Sequence, residues 1–206
     1  MEYERDLSRR VREKIAHRQQ ILEAAKRVFA KKGFHASTVD EIAREADFSK
    51  GTVYVHFANK EDLFFSLIRE KTDKLGERLE GIIHGPDDVE TKLRKFVKAY
   101  LTSFDQDREF FQIMAVERPR LTAETQDRLR VRLRGKYLKT LRLVDEMMQQ
   151  GVKQGRLTQA EPRFLSITLL GIINSFIAQW LLLGRKDPLC QREPFIVELF
   201  LKGAGS

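Results

Sequence analysis

The chain has 206 residues, a length that suits one large domain or two small ones, and its 42% hydrophobic content with 14 Phe supplies a substantial core. With 33% charged residues the surface is of ordinary globular type, which argues against disorder beyond the ends. Lys and Arg outnumber Asp and Glu by 38 to 30, so an anionic partner is favoured (nucleic acid, membrane surface or acidic metabolite), while the single cysteine, Cys190, excludes an intrachain disulfide framework and a multi-thiolate metal site.

Residues 1–18 are dense in charge and lack the apolar stretch of a secretory signal, so a cytoplasmic product is expected. Arg5, Arg9, Arg10, Arg12, Lys14 and Arg18 could reach phosphates or a minor groove, although Glu2, Glu4, Asp6 and Glu13 dilute the charge; the plainer reading is a solvated helix start. Ile21, Ala25, Val28 and Phe29 then recur at helical intervals, which predicts an amphipathic helix over 10–32 ended by Gly33. Thr38 and Glu41 have capping-box spacing and open a short second helix carrying Ile42, Ala43 and Ala46. Asp47 marks a turn, and Ser49 is a natural N-cap for a third helix running to about Phe57. Asn59 followed by Asp62 signals a fourth, with Leu63, Phe64, Leu67 and Ile68 on its apolar side.

The Gly85-Pro86-Asp87-Asp88 stretch breaks the pattern, and Leu93, Phe96, Val97, Tyr100, Leu101 and Phe104 resume it. Further helices are predicted over 108–117, 122–151, 161–184 and 193–202. Neither a strand, a fixed repeat nor a low-complexity tract is visible, so the chain reads as all-α. Residues 164–184 carry no charge and are long enough to span a bilayer. Thr168, Gly171, Ser175 and Gln179 nevertheless fall on one small-or-polar stripe, which favours a buried helix with a close-packed seam, in a bundle or dimer, over a membrane span.

The sharpest feature is 38–57, two short helices joined by a tight turn, which is a helix-turn-helix arrangement. In such units the second helix enters the major groove. Ser49 and Thr52 offer hydroxyls there, Lys50 a charge, and Gly51 an absence of bulk where the helix must approach the duplex. Tyr54 and His56 lie one turn on, where a phenol and an imidazole could donate to phosphate oxygens, and Lys60 could anchor another phosphate. Singly, each of these residues is as well explained by capping, packing or solvation; their occurrence in order is what carries weight. Val53, Phe57, Ile42 and Ala43 are read as core.

The series Ala25, Val28, Phe29, Gly33, Phe34, then Thr38, Val39, Ile42, Ala43, then Ser49, Gly51, Thr52, Val53, Tyr54, His56, Phe57, Asn59, Lys60, Glu61, Asp62 and Leu63 resembles the DNA-binding domain of the TetR family, nearly continuously from Ile21 to Leu63. The resemblance implies an N-terminal three-helix DNA-binding domain, here placed at 15–75, and a C-terminal helical ligand-binding and dimerisation domain at 86–203. It also implies that Thr38, Lys50, Gly51, Thr52, Tyr54, His56 and Lys60 occupy positions that touch DNA. Asp47 stands where family members usually have Gly, and Phe48 where they have a smaller aliphatic; Asp tolerates a left-handed turn, so the motif survives.

Beyond Gly85 only the helical layout guides a ligand argument. Phe104, Phe110, Phe111, Met114, Tyr137, Met147, Asn174, Phe176, Gln179 and Trp180 are candidate pocket lining, most of them expected to prove core. The basic run Arg118, Arg120, Arg128, Arg130, Arg132, Arg134, Lys136, Lys139 and Arg142 could hold an anion such as an acyl-coenzyme A, with Arg128, Arg132 and Lys136 on one helix face; the solvated-face reading is preferred. Phe164, Thr168, Gly171, Ser175, Phe195 and Leu199 are candidates for a homodimer interface. His17, His35, His56 and His84 are scattered, no catalytic constellation has recognisable spacing, and neither a cofactor nor a metal is expected. The expected function is a ligand-responsive transcription regulator, a repressor binding a palindromic DNA operator as a homodimer and released by a small-molecule effector. The alternative is a helical protein-interaction module without sequence-specific DNA binding.

Overall fold

The structure, a computed structural model, describes residues 2–108, 110–111, 122–184 and 187–204. It is helical throughout: α1 Glu2–Ala36, α2 Val39–Glu45, α3 Lys50–His56, α4 Lys60–Ile83, α5 Val89–Gln106, α6 Ala123–Lys153, α7 Pro162–Leu182 and α8 Glu193–Ala204, with a short 3-10 turn at Leu189–Arg192 before the last. No strand occurs among the described residues. The predicted helix over 108–117, including Met114, lies mostly outside the described residues, as do Arg118 and Arg120 of the basic run.

Local chemistry sets the boundaries. α1 starts well ahead of the predicted residue 10, and Gly33 breaks its regular course at φ 80 and ψ 169, a conformation that L side chains rarely adopt. Thr38 and Glu41 form the full capping box of α2, with Glu41 N–H on the Thr38 hydroxyl at 3.2 Å and Thr38 N–H on the Glu41 carboxylate at 2.9 Å. Asp47 takes φ 59 in the turn after α2. The Ser49 hydroxyl accepts the Thr52 N–H at 3.0 Å, and the Asn59 side chain accepts the Asp62 N–H at 2.8 Å at the head of α4. Asp88 caps α5 by accepting from Glu90 and Thr91 N–H, and the Thr91 hydroxyl and amide hold its carboxyl below its ordinary pKa. Pro162 occupies the first turn of α7, where its missing N–H costs nothing.

The chain divides into two compact units, one containing the chain up to Glu70 and the other most of it from Lys71 onward. In the first, Ile21, Leu22, Phe29, Ile42, Ala43, Val53, Phe57, Leu63, Phe64 and Leu67 are buried. The Phe29 ring meets Phe64 edge-on at 5.8 Å and Phe34 at 5.7 Å, an aromatic cluster that fixes the helices around the turn. Arg18, a basic residue ahead of the motif, lies 4.6 Å over the Phe57 ring and donates to Ser66 at 3.0 Å. Its guanidinium is thus engaged in the fold.

The second unit packs Leu93, Phe96, Val97 and Leu101 of α5 against Val144, Met147 and Met148 of α6, Leu169, Leu170, Ile173, Ile177 and Trp180 of α7, and Ile196, Val197 and Phe200 of α8. Each such side chain stabilises the fold by about 1.5–3 kcal/mol on burial. α4 belongs to both units and is unevenly built. Its first half buries Leu63, Phe64, Phe65, Ser66, Leu67 and Ile68, whereas its second half buries Leu79 and Ile83 and contains Gly76 and Gly81, where a Cβ would meet no described atom within 4 Å beyond the helix's own backbone.

α7 is long and apolar enough to cross a membrane by length and composition. One of its faces is in the core; the other is exposed and carries Phe164, Ile167, Thr168, Gly171, Ser175 and Leu182. The small-residue stripe is therefore a bare face of the single chain, so of the two settings expected for a close-packed seam it does not take the one within this chain's own bundle.

Candidate DNA-binding surface and effector cavity

α2 and α3 pack against each other across the Asp47 turn, with Val53 and Phe57 of α3 turned inward. The opposite face of α3 is exposed and presents Ser49, Lys50, Gly51, Tyr54 and Val55, with Tyr54 at 48% exposure. The Lys50 ammonium donates to Asp40 at 2.8 Å, and the Ser49 and Thr52 hydroxyls share a hydrogen bond at 2.9 Å. Among the described residues nothing requires Gly51: a Cβ there would lie 3.6 Å from the Ser49 hydroxyl, an ordinary contact. Glycine inside a helix costs about 1 kcal/mol relative to alanine, and no close contact among the described residues offsets that cost.

Three sequence-predicted residues are placed differently from the exposed set. Thr38 is exposed but spends its hydroxyl and amide on the capping box. The His56 imidazole is half-buried, 6.3 Å from His17 across an edge-on pair, and its Nδ1 finds no hydrogen-bond partner among the described residues. Burial, followed by the neighbouring His17, Lys14 and Arg18 charges, pushes its pKa below the ordinary histidine value. Phe48 fills the space beside His17 with ring centres 4.8 Å apart, which explains how this larger residue is accommodated in the turn. Lys60 turns toward the chain: its ammonium donates to the carbonyls of Phe34 at 2.8 Å, His35 at 3.3 Å and Ser37 at 2.9 Å. Three ammonium protons meet three carbonyls there.

The second unit contains a cavity of about 170 Å³ lined by residues of α4, α5 and α6 with Phe111. Its aromatic wall is a run of rings along α5 and beyond, Tyr100 to Phe104 at 6.0 Å and Phe104 to Phe111 at 4.2 Å, both stacked. Leu75 and Leu133 add aliphatic wall, and Tyr137 and Thr140 close it from α6. Burial, then the nearby Tyr137, pushes the Tyr100 phenol up to about 12, so it is a neutral hydroxyl at any working pH. Lys71 and Asp107 form an ion pair of 3.0 Å in the same wall.

Of the predicted lining, Phe104, Phe111 and Tyr137 reach this cavity. Phe110 and Met147 are buried, Phe176 packs edge-on against Phe195 at 5.9 Å, and Asn174 and Gln179 sit on the exposed face of α7. Trp180 is core: its indole N–H donates to the Asp187 carbonyl at 2.8 Å beneath the Arg108 guanidinium, 4.8 Å from the ring centre. Lys71, Tyr100, Asp107 and Thr140 were missed. The i, i+4 spacing of Tyr100 with Phe104 is the signal that pairs it with a predicted residue. Within the basic run, Lys136 is ion-paired to Asp73 and Lys139 to Glu80, while Arg130 pairs with Asp127.

A capped helix-turn-helix with an exposed polar second helix, leading through a long helix into a helical body with its own cavity, defines a DNA-binding transcription regulator. The family model for bacterial regulatory proteins of the tetR family matches residues 21–67, and that for the tetracyclin repressor-like C-terminal domain matches residues 86–182. The chain belongs to the TetR family. It is 26% identical over 185 residues to the fatty acid metabolism regulator protein of Bacillus subtilis, covering 89% of this chain and 93% of that one. The fatty acid degradation regulator FadR from Bacillus halodurans superposes with TM-score 0.77 at 26% identity, covering 91% of this chain and 95% of that one. FadR from Bacillus subtilis in complex with stearoyl-CoA superposes with TM-score 0.75 at 26% identity, covering 90% and 98% of the two chains. Membership of this family sets aside the alternative of an interaction module without DNA binding.

Proposed function

We propose that the protein is an acyl-coenzyme-A-responsive repressor that binds a palindromic operator as a homodimer and leaves it when the cavity is filled. The observation that carries the ligand reading is the aromatic-walled cavity abutting α4, the helix that also supplies the DNA-binding unit's core. A ligand that fits better when α4 is displaced couples cavity and operator reciprocally. A cavity of about 170 Å³ is smaller than the usual ligand pocket of roughly 300–1,000 Å³, so a long acyl chain enters by moving its walls. The Bacillus subtilis neighbour is in complex with stearoyl-CoA, which supports the same chemical class.

On the DNA side, Lys50, Gly51 and Tyr54 are the proposed groove-facing set, with Ser49 and Thr52 holding the start of α3 and Thr38 and His56 at its margin. Lys60 is assigned to holding α1 against α4. On the dimer side, Phe164, Thr168, Gly171, Ser175, Phe195 and Leu199 are all exposed in the single chain, and the Thr168 and Ser175 hydroxyls donate back to the Phe164 and Gly171 carbonyls at 2.8 and 2.9 Å. That leaves a face of small and apolar groups with its hydroxyl protons already engaged, suited to close packing on its own copy.

The test is selection of bound fragments from random DNA with the purified chain, repeated with Tyr54→Ala. Recovery of a palindrome that the variant binds at least tenfold more weakly is the expected result. The operator is then titrated with acyl-CoAs from octanoyl to stearoyl, with coenzyme A alone as control. Release by none of them sinks the ligand reading.

A further inference from the structure

The Lys71 and Asp107 side chains keep only 19% and 10% of their exposure, yet both face a cavity whose wall is otherwise dominated by aromatic and aliphatic groups. Withdrawing two charges from water is costly, and an apolar pair of similar size would tie α4 to the end of α5 at least as well. Cross-links to the surface of α6 already exist in the Lys139 to Glu80 pair from α4 and the His84 to Glu146 pair just after it, both exposed. A structural tie thus does not account for placing a cation in this wall. Other polar groups of the wall are engaged too: Lys136, its second cation, is ion-paired to Asp73 at the more exposed edge, and Ser103 donates its hydroxyl to the Tyr100 carbonyl at 2.7 Å. Lys71 is also the first residue of α4 that belongs to the second unit. Asp107 is the residue at which α5 ends, with φ −120 and ψ 29.

We infer that Lys71 is the anchor for the oxygen of an acyl effector, a thioester carbonyl or a free carboxylate, and that Asp107 holds that place until the ligand arrives. The inference rests on the acyl-ligand reading above. No covalent bond changes: the ligand oxygen accepts the hydrogen bond that the Asp107 carboxylate now accepts, and the proton stays on Lys71. The exchange separates the start of the cavity segment of α4 from the end of α5, which converts recognition of the head group into movement of α4. The two residues bond to each other, yet their removal has opposite consequences. Loss of Lys71 removes the ligand's donor, whereas loss of the Asp107 charge removes the ligand's competitor.

The experiment is calorimetric titration of the full chain, as wild type, Lys71→Gln, Lys71→Arg and Asp107→Asn, with stearoyl-CoA, stearate and the thioether S-octadecyl-CoA, which lacks the carbonyl. Lys71→Gln is expected to weaken stearoyl-CoA at least tenfold and bring it level with the thioether. Lys71→Arg, which keeps charge and donors, is expected to stay within about threefold of wild type, and Asp107→Asn to bind at least threefold more tightly. Thermal unfolding of each variant checks that it is folded. Binding of stearate as well as stearoyl-CoA assigns the oxygen to any acyl head group; binding of stearoyl-CoA alone assigns it to the thioester. A shift of Lys71→Gln and Asp107→Asn in the same direction is the signature of a structural pair and overturns the inference, as does equal wild-type affinity for thioester and thioether. If wild type binds none of the three probes, the acyl-ligand reading falls and this inference falls with it.

Discussion

The Lys60 ammonium sits 2.8 Å from the Phe34 carbonyl oxygen and 4.6 Å from the centre of the Phe34 ring, so one side chain closes the end of α1 and rests on its terminal aromatic. Hydrogen bonds to a charged group contribute about 1.5–3 kcal/mol, and Lys60→Met is expected to lower stability by about 2 kcal/mol in urea unfolding. The steepness with which DNA binding weakens in salt should not change in this variant. A slope smaller by about one would instead put Lys60 on a phosphate.

His56 makes stability depend on pH. Its folded pKa is depressed by burial first and by His17, Lys14 and Arg18 next, so the native state binds fewer protons than the unfolded chain, whose histidine titrates near 6.5. The contribution is fully present above about pH 6.5 and is lost as pH falls through the lower, folded value. Unfolding measured at pH 7.5 and 5.5 should show a larger loss for wild type than for His56→Gln. Equal losses in the two proteins would mean that His56 titrates normally.

Gly151 is held by packing. A Cβ at this position would lie 2.6 Å from Leu157 Cδ1, 2.9 Å from Leu157 Cγ and 3.1 Å from Val89 Cγ1, and Leu157 is itself buried. Overpacking costs about 1–3 kcal/mol, whereas alanine regains about 1 kcal/mol of helix propensity. Gly151→Ala is therefore expected to destabilise the second unit by up to about 2 kcal/mol, read as a lower unfolding midpoint. A variant more stable than wild type would show that Leu157 moves aside freely.

Gly171 lies at the centre of the bare stripe on α7, where a Cβ meets no described atom within 4 Å beyond the helix's own backbone. Gly171→Arg should fold as well as wild type yet sediment as a monomer, and its operator affinity should fall at least tenfold. A variant that remains dimeric would place the subunit contact elsewhere.

The first unit was largely legible because its signals are short-range. Thr38 and Glu41, Asp47, Ser49, and Asn59 with Asp62 each act within three or four residues, and each takes the cap or turn its chemistry dictates. Lys60 shows the limit: its sequence position suggested an outward cation, while its partners lie 23 to 26 residues earlier on α1 and in the loop after it. The cavity was only half legible for the same reason. Phe104 and Tyr137 are large and apolar enough to be suspected, but Lys71 and Asp107 line the wall because α4 and the end of α5 come together there, which no periodicity encodes. Asn174 and Gln179 are polar groups within an apolar helix, and the helix turns that side outward.

The uneven construction of α4 makes it a rod of graded stiffness. From Leu63 to Ile68 every side chain is buried, whereas past Lys71 the helix has two glycines, only Leu79 and Ile83 buried, and a cavity beside it. Thermal fluctuation therefore concentrates at the far end, and the amides around Gly76 and Gly81 exchange with solvent sooner than those around Phe64. A strain introduced at the cavity is absorbed as bending where the rod is soft. The helix can thus yield at one end without melting the other.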